Sequence, residues 1–182
     1  MERSLALELL SRHVHKESLY RHCIATAAVM KEVAGYLGQD QEEWETIGIL
    51  HDIDFEEVGE DMQRHGVEGY RILKSEGFDE RIALPVRNHN DMLFGVSDEP
   101  VDRALQAADN VSGLVIACAL VKGGKITEVT PKSIQKKFKE KSFAAGCRRD
   151  MVRRIEPLMD LPTFFALAQK GLANVKDELG LE

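Results

Sequence analysis

Residues 48–55 read Gly48-Ile49-Leu50-His51-Asp52-Ile53-Asp54-Phe55. An apolar run ends in an imidazole and a carboxylate, and a second carboxylate follows two residues later. Helical spacing sets His51 on the same face as Ile47 and Trp44. The histidine therefore continues a stripe that should close on a core. A buried charge is unfavourable unless it is paired or holds a cation. The stretch thus demands partners elsewhere in the chain.

The same spacing finds four candidates among the other ligand-type residues. His22 is followed by Thr26, Val29 and Val33, and His89 follows Ile82, Pro85 and Val86. Asp109 shares a face with Leu105, Ser112 and Ile116, and His65 sits on a mixed face between Met62, Gly69 and Ile72 on one side and Asp61 and Glu68 on the other. Five helices are expected to aim a nitrogen or a carboxylate inward, and one bound cation would partner them together. The mixed N and O donors suit a first-row transition metal better than magnesium or calcium. His13 follows Leu9 and Leu10 and is expected to pack, His15 to lie at the surface, and Cys23 to be a core thiol.

The frame around these residues is helical. Stripes and cap signals predict helices over 2–14, 18–37, from about 41 into His51-Asp52, about 60–76, 79–89 with Pro85 inside, 100–121, from 131, and 161–180. No strand alternation or repeat is present. The expected fold is an all-α single-domain bundle of eight or nine helices over 1–182. Its metal-binding core should span about 15–125, with a helical C-terminal extension over about 126–182.

Bulk composition narrows the function. The chain has 182 residues, 43% hydrophobic and 30% charged, as expected of a globular protein. Its longest continuous apolar run, Gly113–Val121, is far short of the roughly 20 residues a membrane span needs. No signal-peptide pattern opens the chain, so a cytoplasmic location is expected. Three dispersed cysteines form no CxxC pair. The net charge of −7 conceals a basic stretch over 132–154, with nine Lys/Arg against two acids. The acidic remainder disfavours long nucleic acids, while the basic stretch suits a solvated helix face or a small anion.

The ordered set His22, His51-Asp52, His65, His89, Asp109 resembles the HD-domain superfamily of metal-dependent phosphohydrolases. The likeness lies in RHCIATAAVM, GILHDID, QRHGVEGYRIL, VRNHN and ALQAADNVSG. It is strongest toward the short stand-alone hydrolases of that superfamily, and it implies an HD-type helical bundle. It assigns one metal to His22, His51, Asp52 and Asp109. The two intervening histidines, His65 and His89, mark members with a second metal, bridged by Asp52. One or two divalent ions (Fe, Mn, Co, Ni or Zn) are implied. Asp54 and Phe55 depart from the HDIG form, which has Gly and often Lys there. No GYP follows His89, which disfavours a cyclic-di-GMP phosphodiesterase.

The activity implied is hydrolysis of a phosphate ester or anhydride of a small molecule, a nucleotide foremost, by attack of metal-bound hydroxide. Asp52 takes part directly, Asp54 or Glu68 would accept the water proton or orient a ligand imidazole, and Arg64, Lys136 and Lys137 would neutralise substrate phosphate. A di-iron oxygenase of the same superfamily and a non-catalytic nucleotide- or metal-sensing module are the alternatives. The sequence sets no oligomeric state.

Overall fold

The helices form where an apolar stripe coincides with a cap. The computed structural model describes residues 3–182, and among these there is no strand. The order is α1 (Arg3–His13), α2 (Glu17–Leu37), α3 (Gln41–Leu50), α4 (Val67–Ser75), α5 (Glu80–Asn88), α6 (Asp91–Phe94), α7 (Pro100–Val121), α8 (Pro131–Lys139), α9 (Arg149–Val152), α10 (Leu161–Asn174) and α11 (Lys176–Leu179). Residue 2, the expected start of α1, lies outside the described residues. Short 3-10 turns at Ile126–Glu128 and Arg153–Ile155 complete the frame.

The caps behave as their chemistry requires. The Asp40 carboxylate accepts from the backbone N–H of Glu42 and Glu43 at 3.0 and 3.1 Å, which starts α3. Asp79 and Asp160 cap α5 and α10 in the same way. Pro100 occupies the first turn of α7, where its missing N–H loses no helical bond. Gly38 ends α2 at φ 67°. Pro85 sits inside α5, which continues through it to Asn88.

Two expected spans are corrected. The helix expected over 60–76 begins only at Val67, and residues 51–66 form a chain of turns. Gly66 has φ 81° and Glu60 φ 63°, both incompatible with a right-handed helix. The final helix expected over 161–180 is interrupted at Val175, and α11 finishes the chain before Gly180.

One connected apolar core includes side chains from Ala6 to Leu181. Long α2 lies between α3, α7 and α10. Two glycines allow the closest approaches. A Cβ on Gly48 would meet the Ala27 Cα at 2.5 Å, and one on Gly171 would meet the Ala28 carbonyl oxygen at 2.5 Å. The residues after 126 join the same core through Ile134, Phe138, Phe164 and Phe165. The chain end is tied back where Ile126 N–H donates to the Glu182 carbonyl and Glu182 N–H to that of Gly124, both at 2.8 Å. By length and hydropathy α7 would pass for a membrane span, although its longest unbroken apolar run is short. Yet 61% of its most apolar window is buried within the bundle.

Candidate metal centre

His22 projects from α2, His51 caps the C-terminus of α3, and Asp52 follows it. His89 caps the C-terminus of α5, and Asp109 lies midway along α7. His65 comes from the turn before α4, not from a helix. The structure brings all six side chains to one place.

They form two groups that share a carboxylate. In the first, His22 Nε2 lies 3.2 Å from His51 Nε2 and 2.9 Å from Asp109 Oδ1. Asp52 Oδ2 stands 3.6 Å from His22 Nε2 and 3.5 Å from His51 Nε2. In the second, His65 Nε2 lies 2.9 Å from His89 Nε2. Asp52 Oδ1 stands 3.4 and 3.3 Å from those two nitrogens. Asp52 thus turns one oxygen to each group.

Nδ1 contacts fix the tautomers. His51 Nδ1–H donates to the Gly48 carbonyl at 2.8 Å and His89 Nδ1–H to the Val86 carbonyl at 2.5 Å. His65 Nδ1–H donates to Asp54 Oδ1 at 2.9 Å. With the proton on Nδ1, neutral imidazole presents a bare lone pair at Nε2. His65 and His89 in that form oppose two lone pairs at 2.9 Å, an arrangement satisfied by a metal ion or, without one, by a proton between them. Ligands about 2.1 Å from a shared ion lie roughly 3.0 to 3.4 Å apart in octahedral or tetrahedral geometry. The donor spacings run from 2.9 to 3.8 Å and bracket that range, so the residues fit one divalent ion in each group.

The surrounding acids favour positive charge here, carried by a metal ion or, in its absence, by protons on the imidazoles. Burial opposes charge on His89, but Asp52 and then Asp109 outweigh it and lift the imidazole to about 8. Burial likewise opposes charge on His51, and the same two acids raise it. Burial alone would raise Asp52 and Asp109. The imidazoles around them, His51, His89 and His22 for Asp52 and His22 and His51 for Asp109, hold both well below the usual carboxylate range. These acids stay ionised and available as ligands.

Asp54 stands behind this shell. It is fully buried, and its Oδ2 accepts from the N–H groups of Gly66 and Gly69, both at 2.7 Å. Those are two of the unpaired donors that open α4, so Asp54 caps that helix from a distant turn. Its remaining oxygen holds His65. Asp54 is therefore a positioning residue, the second of the two roles expected of it: it orients the His65 imidazole, and its oxygens are engaged on the far side of that ring from the group of donors, which leaves none to accept a proton from water.

The expected phosphate-binding cations are elsewhere. Arg64 is exposed and lies 3.9 Å from Glu68, which itself pairs with Arg71 at 2.7 Å. Lys136 is exposed, and Lys137 pairs with Glu140 at 2.7 Å and stacks on Phe143. None of the three lines the cavity beside the centre. That cavity, of about 310 Å³, is bounded by Asp52, His65, His89 and Asp109 together with Phe55, Met62, Asn90, Asp91, Gln106, Asn110, Gly146, Arg148 and Met151. Its cation is Arg148, which nothing in the sequence distinguishes from its eight basic neighbours. His13 is half-buried and pairs with Glu57 at 2.6 Å, His15 is exposed, and Cys23 is fully buried.

The model of the HD domain family matches residues 19–114, just over half of the chain. No curated protein and no solved structure matches it. All six clustered side chains fall inside the matched span, and Arg148 falls outside. With an all-α fold and a His/Asp cluster suited to divalent ions, this chain belongs to the HD domain family, a superfamily of metal-dependent hydrolases.

Proposed function

We propose that the protein is a metal-dependent phosphohydrolase that cleaves a phosphate ester or anhydride of a small cytoplasmic molecule. The observation that carries this is the pair of imidazole couples flanking one carboxylate, Asp52, which lines a cavity. Divalent ions bound there would lower the pKa of water to give a nucleophile near neutral pH and would neutralise phosphoryl charge. The chain's own contribution is positioning. The Gly48 and Val86 carbonyls and the Asp54 carboxylate hold three imidazoles in the ligating tautomer. Asp52 keeps the two groups at a fixed separation, and Asp109 closes the first at the more open rim. A cavity near 310 Å³ stands at the small end of ligand sites, which favours a mononucleotide-sized substrate over a nucleic-acid strand. Free cysteines, two of them buried, suit a reducing compartment.

The test is a screen of nucleotides and small phosphomonoesters with Fe, Mn, Co, Ni and Zn, run beside Asp52→Ala and with metal content measured. The expected result is one or two metal equivalents, turnover of a phosphate compound, and loss of both in Asp52→Ala. Full hydrolysis by metal-free protein would sink the proposal. Oxygen uptake with reduced iron would replace it with oxygenase chemistry, and tight nucleotide binding without turnover with a sensing role.

A further inference from the structure

The residues beyond the matched family span supply one wall of the cavity. Gly146, Arg148 and Met151 line it together with Asp52 and Asp109. The loop that carries them is built with care. The Arg149 guanidinium donates to the carbonyls of Phe138, Glu140, Phe143, Ala144 and Cys147, gathering the loop around one side chain. Ala144 is held at φ 46°, a left-handed conformation that a non-glycine residue adopts only under constraint. Arg148 N–H donates to Asn110 Oδ1 at 3.1 Å, which pins the loop to α7 one residue from Asp109.

Among the described residues, Arg148 is the one Lys or Arg lining this cavity. Its guanidinium forks onto Asp91 at 2.8 and 2.9 Å and touches Asp150 at 3.3 Å. Those contacts use three of its five N–H groups. The cavity's three carboxylates, Asp52, Asp91 and Asp109, outweigh this cation and leave a net −2. Two divalent ions would turn that to +2, which balances a phosphomonoester dianion. Without the guanidinium the balance fails by one charge.

Resting on the phosphohydrolase reading, we propose that Arg148 binds the substrate's phosphoryl oxygens and makes the centre prefer phosphomonoesters to phosphodiesters. Asp91 holds the guanidinium at the cavity wall until a dianion competes for it. Planar, paired N–H donors suit a phosphoryl group well.

The experiment titrates orthophosphate into the manganese-loaded full chain by calorimetry, with metal content measured on every sample. Arg148→Ala should weaken orthophosphate binding by about tenfold or more, the range for a hydrogen-bonded charged group. Arg148→Lys should recover part of that loss. Asp91→Asn should bind orthophosphate at least as tightly as the wild type, because it releases the guanidinium. Phenyl phosphate should outbind diphenyl phosphate in the wild type, and the two should converge in Arg148→Ala. Unchanged orthophosphate affinity in Arg148→Ala overturns the inference. So does an equal loss in Asp91→Asn, which would make the ion pair a structural brace, or a metal-loaded wild type that binds no orthophosphate. Arg148-dependent binding without hydrolysis of any phosphate ester would support the inference and sink the hydrolase reading instead.

Discussion

Replacing Asp54 by asparagine changes one atom and reverses one hydrogen bond. The carbonyl oxygen of the new amide can keep the two N–H donors of Gly66 and Gly69 that now lie 2.7 Å from Oδ2. Its NH2 group must then face His65 Nδ1, which would have to accept instead of donate. The proton moves to Nε2, and the lone pair that faces His89 at 2.9 Å is lost. Loss of such a supporting carboxylate weakens metal binding by about 10- to 100-fold, or roughly 1.4 to 2.7 kcal/mol. The fold should survive, since neutral bonds retain about half the strength of charge-assisted ones. Asp54→Ala is a different experiment. It strands three buried donors at about 1–3 kcal/mol each, a sum that rivals the stability of an ordinary domain. The assay is metal analysis after dialysis, with far-UV circular dichroism to verify folding. The wild type should hold two equivalents and Asp54→Asn about one, retained by His22, His51, Asp52 and Asp109. Folded Asp54→Asn with two tightly held ions would refute the reasoning.

Other outcomes follow from the same geometry. Gly48→Ala forces a Cβ to within 2.5 Å of the Ala27 backbone and should destabilise by at least about 1–3 kcal/mol, read as a fall in Tm. Gly113→Ala, in open space on α7, should instead raise Tm slightly, by up to about 1 kcal/mol of stability. Arg149→Ala releases five carbonyls and should expose residues 140–148 to limited proteolysis while helical content persists. Metal-free and metal-loaded protein should show opposite pH trends. His89 titrates near 8 in the fold against about 6.5 unfolded, so its protonation stabilises the apoprotein by about 2 kcal/mol below pH 6.5 and is lost as pH rises through 8. Protons and metal compete for the same nitrogens, so thermal melts of the loaded protein should gain stability over that interval. The lowered carboxylates contribute above about pH 4 and do not change between 6 and 9.

The long elements are legible because they carry a stripe and a cap together. Each of the eight expected helices has a counterpart, whereas α6, α9 and α11 have four residues each, too few to display a period. The turns over 51–66 read as partly helical in the sequence because the conformation of Gly66 depends on a carboxylate twelve residues upstream. His22, His51, His89 and Asp109 are visible as polar interruptions of apolar faces. Asp54 looks like an ordinary acid until the turn it reaches is in place. Lys136 and Lys137 belong to the correct basic stretch but sit on α8, away from the cavity. Other members of that stretch are structural: Arg149 gathers the loop's carbonyls, and Arg154 binds the Ser97 carbonyl and Gln106. Of its nine cations, Arg148 reaches the cavity wall, and nothing in its local sequence marks it.

The contact at Gly48 carries a consequence for ion size. Main chain there meets main chain, with no side chain between α2 and α3 to repack, and three residues later comes His51. The spacing between His22 and His51 is thus held by a tight, weakly compressible main-chain contact. A donor pair gripped in this way has little capacity to dilate. Ions that sit about 2.1 Å from their ligands fit between them, and calcium, which needs about 2.3–2.6 Å and a shell of oxygens, should be excluded by radius as well as by donor chemistry. The absent side chain of a core glycine thereby acts as a gauge on which ion the centre admits.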